Sequence, residues 1–222
     1  MTSRLAAQTR RIAAGDDRLR YDVVAMTLHW LTALLVVLLF GLAQVWGFLA
    51  KATPPREQLI VIHISFGILL TMVLGVRIVW RLTPGHQVQD ATTGLAELAS
   101  KVVHYLLYGL LIAQVVLGYV LRWSGDEAMS FFGLQIAPPF APFSKPAHEL
   151  VGDAHNWIGW SIIILAGGHA AAALFHHFIL RDDVLGRMMP GLHVWRAEAG
   201  TSGGRVVSDK PEIADSAYPT RR

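Results

Sequence analysis

The chain has 222 residues, of which 53% are hydrophobic and only 16% charged, with a net charge of +3. A soluble domain carries about 25% charged residues, so an ordinary soluble globule is excluded, and a balance this small gives no reason to expect a nucleic-acid partner. There is no cysteine, which excludes disulfides, thiolate nucleophiles, Cys-ligated zinc, iron–sulfur clusters and covalent haem attachment.

Residues 1–22 are Arg-rich and contain no apolar core, so they read as an N-terminal cytoplasmic segment rather than a signal peptide. Four stretches then lack Asp, Glu, Lys and Arg altogether: Val23–Ala50, Gln58–Val76, Val102–Leu121 and Ala154–Leu180. A helix needs roughly 20 apolar residues to cross a bilayer, and each stretch comes close to or exceeds that. Helices are the economical choice because hydrocarbon offers no partner to an unpaired backbone. The expected fold is an all-α membrane protein, a four-transmembrane-helix bundle of up-down-up-down topology spanning residues 23–195. Pro54 and Pro55 mark a short outer turn after span 1. Residues 124–147 form the longest outer connection, and the apolar Ala128–Ile136 piece is expected to lie on the membrane surface. Residues 196–222 lack apolar periodicity and read as a disordered cytoplasmic tail.

Lys and Arg set the orientation. Five precede span 1, three lie between spans 2 and 3 (Arg77, Arg81, Lys101) and seven follow span 4. The other two connections hold two each: Lys51 with Arg56, and Arg122 with Lys145. The positive-inside rule places both termini in the cytoplasm. The tryptophans near span ends (Trp30, Trp46, Trp80, Trp123, Trp195) read as an interfacial belt. Glycines within the spans (Gly67, Gly75, Gly109, Gly118, Gly159, Gly167, Gly168) permit close helix approach or make room for a flat cofactor.

Seven of the ten histidines fall in the charge-free stretches: His29, His63, His104, His155, His169, His176 and His177. Ionisable residues inside a span are costly and usually functional. His155 and His169 are 14 residues apart, which is about 21 Å along a helix and brings both to one face. By depth, His63 pairs with His155 near one leaflet and His29 with His169 near the other. Facing imidazoles at one depth suit the axial positions of a haem b, each ligand being neutral. Two such sites make an electron path across the bilayer. His176, seven residues after His169, is the alternative inner ligand. His104 has no evident partner at its depth and is not assigned as one. A metal-ion transporter would use the same stripe, but it needs a polar pathway, and the spans offer little beyond Gln44, Gln114 and Asn156.

At these residues the sequence resembles the bacterial cytochrome b561 family. The likeness is carried by Tyr21-Asp22, Leu28-His29-Trp30, His63 with Gly67, Val76–Arg81, His104–Gly109 and the run His155–Arg187 with its Met188-Met189-Pro190 ending. That ending is similar to the superoxide oxidase branch. The resemblance implies His29, His63, His155 and His169 as ligands of two haem b groups. It also implies a multi-pass protein of the bacterial inner membrane that oxidises periplasmic superoxide to O₂ and reduces ubiquinone. Arg77 and Arg81, one turn apart, are expected to meet haem propionates, and His104 a propionate or the quinone. His176 and Thr27 are the expected quinone contacts, the imidazole being suited to relay a proton. Lys51, Arg56, Arg122 and Lys145 either steer the superoxide anion or face lipid headgroups. Relatives of this fold also serve as cytochrome b anchor subunits, in which a partner dehydrogenase or hydrogenase exchanges electrons with the quinone pool; co-purifying subunits separate the two readings.

Overall fold

The computed structural model describes residues 22–83, 94–182 and 184–189. Most of the 1–22 segment and all of the 196–222 tail lie outside these residues. Among the described residues, four helices are long and apolar enough to cross a membrane. They are α1 (Val23–Gly47), α2 (Pro54–Leu82), α3 (Leu95–Ser124) and α4 (Lys145–Phe175), the last running on into a π-helical turn, His176–Leu180.

α2, α3 and α4 outrun their charge-free stretches because charged and capping residues at the ends extend them, while α1 stops at Gly47, three residues short of the end of its own. The Asp22 carboxylate caps α1 by accepting the Ala25 N–H at 2.9 Å, and it also accepts from the Trp80 indole. Pro54 and Pro55 do not form the turn; they open α2, where a missing N–H costs nothing. Glu57 and Glu97 sit in the first turns of α2 and α3, and Arg81 and Arg122 in their last turns, each favourable to the helix dipole. Glu97 also pairs with Lys101 one turn on. α4 begins nine residues ahead of its charge-free stretch, at Lys145-Pro146, and so gathers His148 into a helix.

The helices run alternately up and down as two hairpins, α1 with α2 and α3 with α4. Each hairpin packs closely along its length, while the two hairpins touch each other sparingly. Leu35 and Leu39 of α1 interlock with Leu70 and Val73 of α2. Leu74, Leu111 and Ile162 bring α2, α3 and α4 together near mid-height. Elsewhere large apolar side chains such as Leu34, Val79, Tyr105 and Ile164 face outward. That is expected of a surface whose solvent is lipid.

The connection after α3 departs from the sequence expectation. Met129–Phe131 (β1) and Leu134–Ile136 (β2) form an antiparallel hairpin that packs on α2, a pairing the apolar run did not announce. Phe132 and Gly133 form its two-residue loop, both at positive φ (46° and 98°), as a type I′ turn requires. Phe132 has no glycine's freedom there. Its N–H donates to Ser65 Oγ at 3.1 Å and its ring meets Phe66 edge-on, which hold it in place. Ser65 in turn donates to the Ser130 carbonyl at 2.9 Å, and Met129 and Ser130 are buried. A polar anchor within α2 overrides the apolar character of this loop.

Candidate functional site

The histidines assemble at two levels in the seam between the hairpins. At the end that carries the β-hairpin, His63 of α2 and His155 of α4 face each other with ring centroids 6.4 Å apart. The His63 Nδ1–H donates to the Leu39 carbonyl at 3.0 Å, which leaves Nε2 with its lone pair. Trp46 closes on the His63 ring at 4.9 Å. His155 has one ring nitrogen 3.1 Å from the Gln114 amide, and the other, Nδ1, is buried without a partner.

At the other end, where α1 begins and α4 ends (the terminal end below), His169 sits against His104 with ring centroids 5.0 Å apart, and His29 is within electrostatic range of both. His104 therefore has the partner at its depth that spacing did not supply. Arg77 joins this group by donating to His29 Nδ1 at 3.0 Å with its guanidinium 5.0 Å from the Tyr108 ring. Arg81, one turn along, is exposed.

The hairpin-end residues fit a bis-imidazole iron. Metal–imidazole bonds of about 2 Å put the two ring centroids roughly 6 Å apart, close to the observed separation. His63 is held in the tautomer that frees Nε2, while His155 has Nε2 on the Gln114 amide and Nδ1 buried beside Gly118, so that ring has to turn before it can bind a metal. The glycines add room. A Cβ on Gly67, Gly75, Gly109, Gly167 or Gly168 would meet nothing within 4 Å, so close helix contact does not explain these five; at Gly118 and Gly159 it does. At the terminal end the donors also suit such a group, neutral imidazoles for iron and a guanidinium for carboxylates. There, however, an arginine that donates to His29 Nδ1 leaves the hydrogen on Nε2, and that contact has to open before the ring can bind a metal.

The remaining sequence-predicted residues are placed as follows. Thr27 lines an open groove of ≈ 490 Å³ with Val23, Met26, Trp30, Leu31 and Leu34, almost all carbon, and its hydroxyl donates to the Val23 carbonyl of its own helix. Trp30 in the same groove donates to the Met188 carbonyl at 2.8 Å, which ties the segment after α4 back onto α1. His176 opens the π-helical turn and lies 2.5 Å from the Asp182 carboxylate through Nδ1, which leaves Nε2 for another partner. At the hairpin end, Arg56 donates to the Trp46 and Leu49 carbonyls and closes α1. Arg122 donates to the Ala128 carbonyl and pairs with Glu127. Two of the four expected steering charges are thus structural, while Lys51 and Lys145 are exposed.

Two side chains escaped the sequence reading. His148 lies 2.8 Å from Ser124 Oγ, a group only 1% exposed, and clamps α3 to α4. In sequence Gln114 is only a polar residue within a span; its signal is its place four residues before Gly118, which becomes legible only when α4 is laid beside it.

Comparison with known proteins agrees with this architecture. The family model described as prokaryotic cytochrome b561 matches residues 20–191. Cytochrome b561 homolog 2 of Escherichia coli (strain K12) is 32% identical over 171 residues, covering 77% of this chain and 91% of that protein. The probable superoxide oxidase CybB of Yersinia pestis is 27% identical over 176 residues, covering 77% and 96%. Cytochrome b562 of Cereibacter sphaeroides is 28% identical over 173 residues, covering 76% and 94%.

Proposed function

The chain belongs to the prokaryotic cytochrome b561 family of haem b-binding membrane electron-transfer proteins, and on that footing we propose that it is a dihaem superoxide:ubiquinone oxidoreductase of the bacterial inner membrane. The observation that carries the two-site reading is the pair of histidine levels in the seam, with His155 and His169 on one helix 14 residues apart. Superoxide is favoured as donor by the likeness to the probable superoxide oxidase of Yersinia pestis.

His63 and His155 hold one haem and His29 and His169 the other. The haems, when bound by these imidazoles, would supply one-electron carriage. The net reaction is two superoxide anions plus ubiquinone plus two protons giving two O₂ and ubiquinol. The Leu39 carbonyl keeps the His63 lone pair directed away from its own helix. Arg77 would turn from His29 to hold a propionate carboxylate, with Arg81 as the exposed second cation, and His104, beside His169, would be a further hydrogen-bond donor to that carboxylate or to the quinone. The quinone lies in the carbon-lined groove at Thr27 and Trp30. His176 and Asp182 together hold a proton at Nδ1, in a position to release it toward the terminal-end site.

The test uses the purified ferric protein and enzymatically generated superoxide, followed by haem absorption. Rapid reduction that superoxide dismutase abolishes and ubiquinone discharges is the expected result. Haems that dithionite reduces but superoxide leaves ferric would overturn the donor assignment and point to a partner protein in that role. A protein that purifies without any haem spectrum would overturn the ligand assignment as well.

A further inference from the structure

The connection between α3 and α4 carries no charged residue from Ala128 to Ser144. Its hairpin exposes apolar side chains where a turn in water is polar: Phe132 is 64% exposed and Leu134 65%. Phe132 also holds a positive φ of 46°, a place that a type I′ turn gives by preference to Asn, Asp or Gly. An exposed phenyl ring in that conformation is a poor choice for water.

Two helices fix how deep the turn sits. On α2 the hydroxyl that grips it belongs to Ser65, seven residues inside the charge-free stretch that opens at Gln58. Seven helical residues rise about 10 Å. On α3 the charge-free stretch closes at Leu121, and the next residue, Arg122, donates to the Ala128 carbonyl at 3.1 Å. The chain leaves that level at Ala128 and reaches Phe132 four residues on, a reach of up to roughly 13 Å when extended. Both routes put the turn about 10 Å below the polar ends of the spans, within a hydrocarbon core roughly 30 Å thick.

Hydrocarbon offers no partner to an unpaired N–H or C=O, and the turn meets that condition. Phe131 pairs with Leu134 across it. Ser65 Oγ accepts the Phe132 N–H and donates to the Ser130 carbonyl, so one hydroxyl serves two backbone groups. The Phe132 ring stands edge-on to Phe66 of α2 and to Phe131. On the far edge Gln135, opposite Ser130, turns its backbone groups outward. It is the polar residue of β2 and lies one pair nearer the boundary.

We propose that the β1–β2 hairpin is a re-entrant wedge, its tip at Phe132 and Leu134 seated among the acyl chains of the leaflet at the hairpin end. That is deeper than a segment lying flat on the surface. The proposal needs the four helices to be spans and nothing from the haem assignment.

The chain has no cysteine, so a single introduced one takes a nitroxide label alone. Phe132→Cys and Leu134→Cys are compared with Ile164→Cys, on the outward face of α4, and Lys51→Cys, in the exposed turn after α1. The labelled full-length proteins are reconstituted in vesicles of phosphatidylethanolamine and phosphatidylglycerol. Power-saturation electron paramagnetic resonance reads collisions with oxygen, which concentrates in hydrocarbon, and with a water-soluble nickel chelate. The labels at 132 and 134 are expected to approach the label at 164, with an oxygen-to-chelate ratio several-fold above that at 51. A ratio closer to that at 51 puts the tip in water or among headgroups and overturns the proposal. Few collisions with either reagent mean that protein covers the tip, a second copy or another chain, and overturn it equally. If the label at 164 itself meets the chelate freely, the spans fail and the proposal with them. Should the label at 132 disturb the turn, Leu134→Cys decides alone, because it leaves the Phe132 ring in place.

Discussion

Arg77 donates to Nδ1 of His29 at 3.0 Å, across the closely packed α1–α2 hairpin. A guanidinium has only donors, so the contact and metal ligation through Nε2 of His29 exclude each other. On the proposed function the cation would leave the imidazole for a haem propionate. Arg77→Leu removes that cation while leaving both proposed ligands. Removal of a positive charge near the iron stabilises the oxidised form. We expect haem content to be retained and the potential of one haem to fall by the equivalent of about 1–2 kcal/mol. A redox titration that finds both potentials unmoved would remove Arg77 from that haem's surroundings.

His104 and His169 touch, yet only one of them is proposed as a ligand. Haem assays of the single alanine variants should therefore split. His169→Ala is expected to halve the haem-to-protein ratio, and His104→Ala to leave it intact. The reverse pattern would exchange their roles.

The β-hairpin hangs on one hydroxyl. Ser65 Oγ, in a residue 2% exposed, donates to the Ser130 carbonyl and accepts from the Phe132 N–H. Ser65→Ala leaves two backbone groups without that partner, at a cost of about 1–3 kcal/mol. The expected outcome is a lowered melting temperature and faster proteolytic cleavage between residues 129 and 136, with the helical content unchanged. Cleavage at the parent rate would show that strand packing alone seats the hairpin.

The groove at Thr27 separates hydroxyl chemistry from shape. Because the hydroxyl already donates to Val23 O, Thr27→Val should change the quinone KM by no more than about threefold, the scale of less than 1 kcal/mol. Thr27→Trp fills the groove and should raise that KM by about tenfold or more, the scale of 1–3 kcal/mol for overpacking. Equal and small effects from both would place the quinone elsewhere.

Much of this protein is legible in one dimension, and the physical reason is lipid. Hydrocarbon forces uninterrupted apolar stretches on any spanning helix, so Val23–Ala50, Gln58–Val76, Val102–Leu121 and Ala154–Leu180 announced four helices. The 3.6-residue turn places His155 and His169 on one face without any knowledge of neighbours. What sequence could not supply were relationships between helices. Side chains beyond one turn meet only when backbones are laid together, and the tertiary structure alone set His104 beside His169, Gln114 over Gly159, and Arg122 against Glu127 and the Ala128 carbonyl. The hairpin is the sharpest case. Residues 128–136 have the composition of an interfacial segment, and a hydroxyl on α2, 65 residues from Ser130, converts them into two paired strands. Composition determined which solvent each segment meets; packing between segments decided which polar atoms find partners and which imidazole nitrogens are left with lone pairs to give.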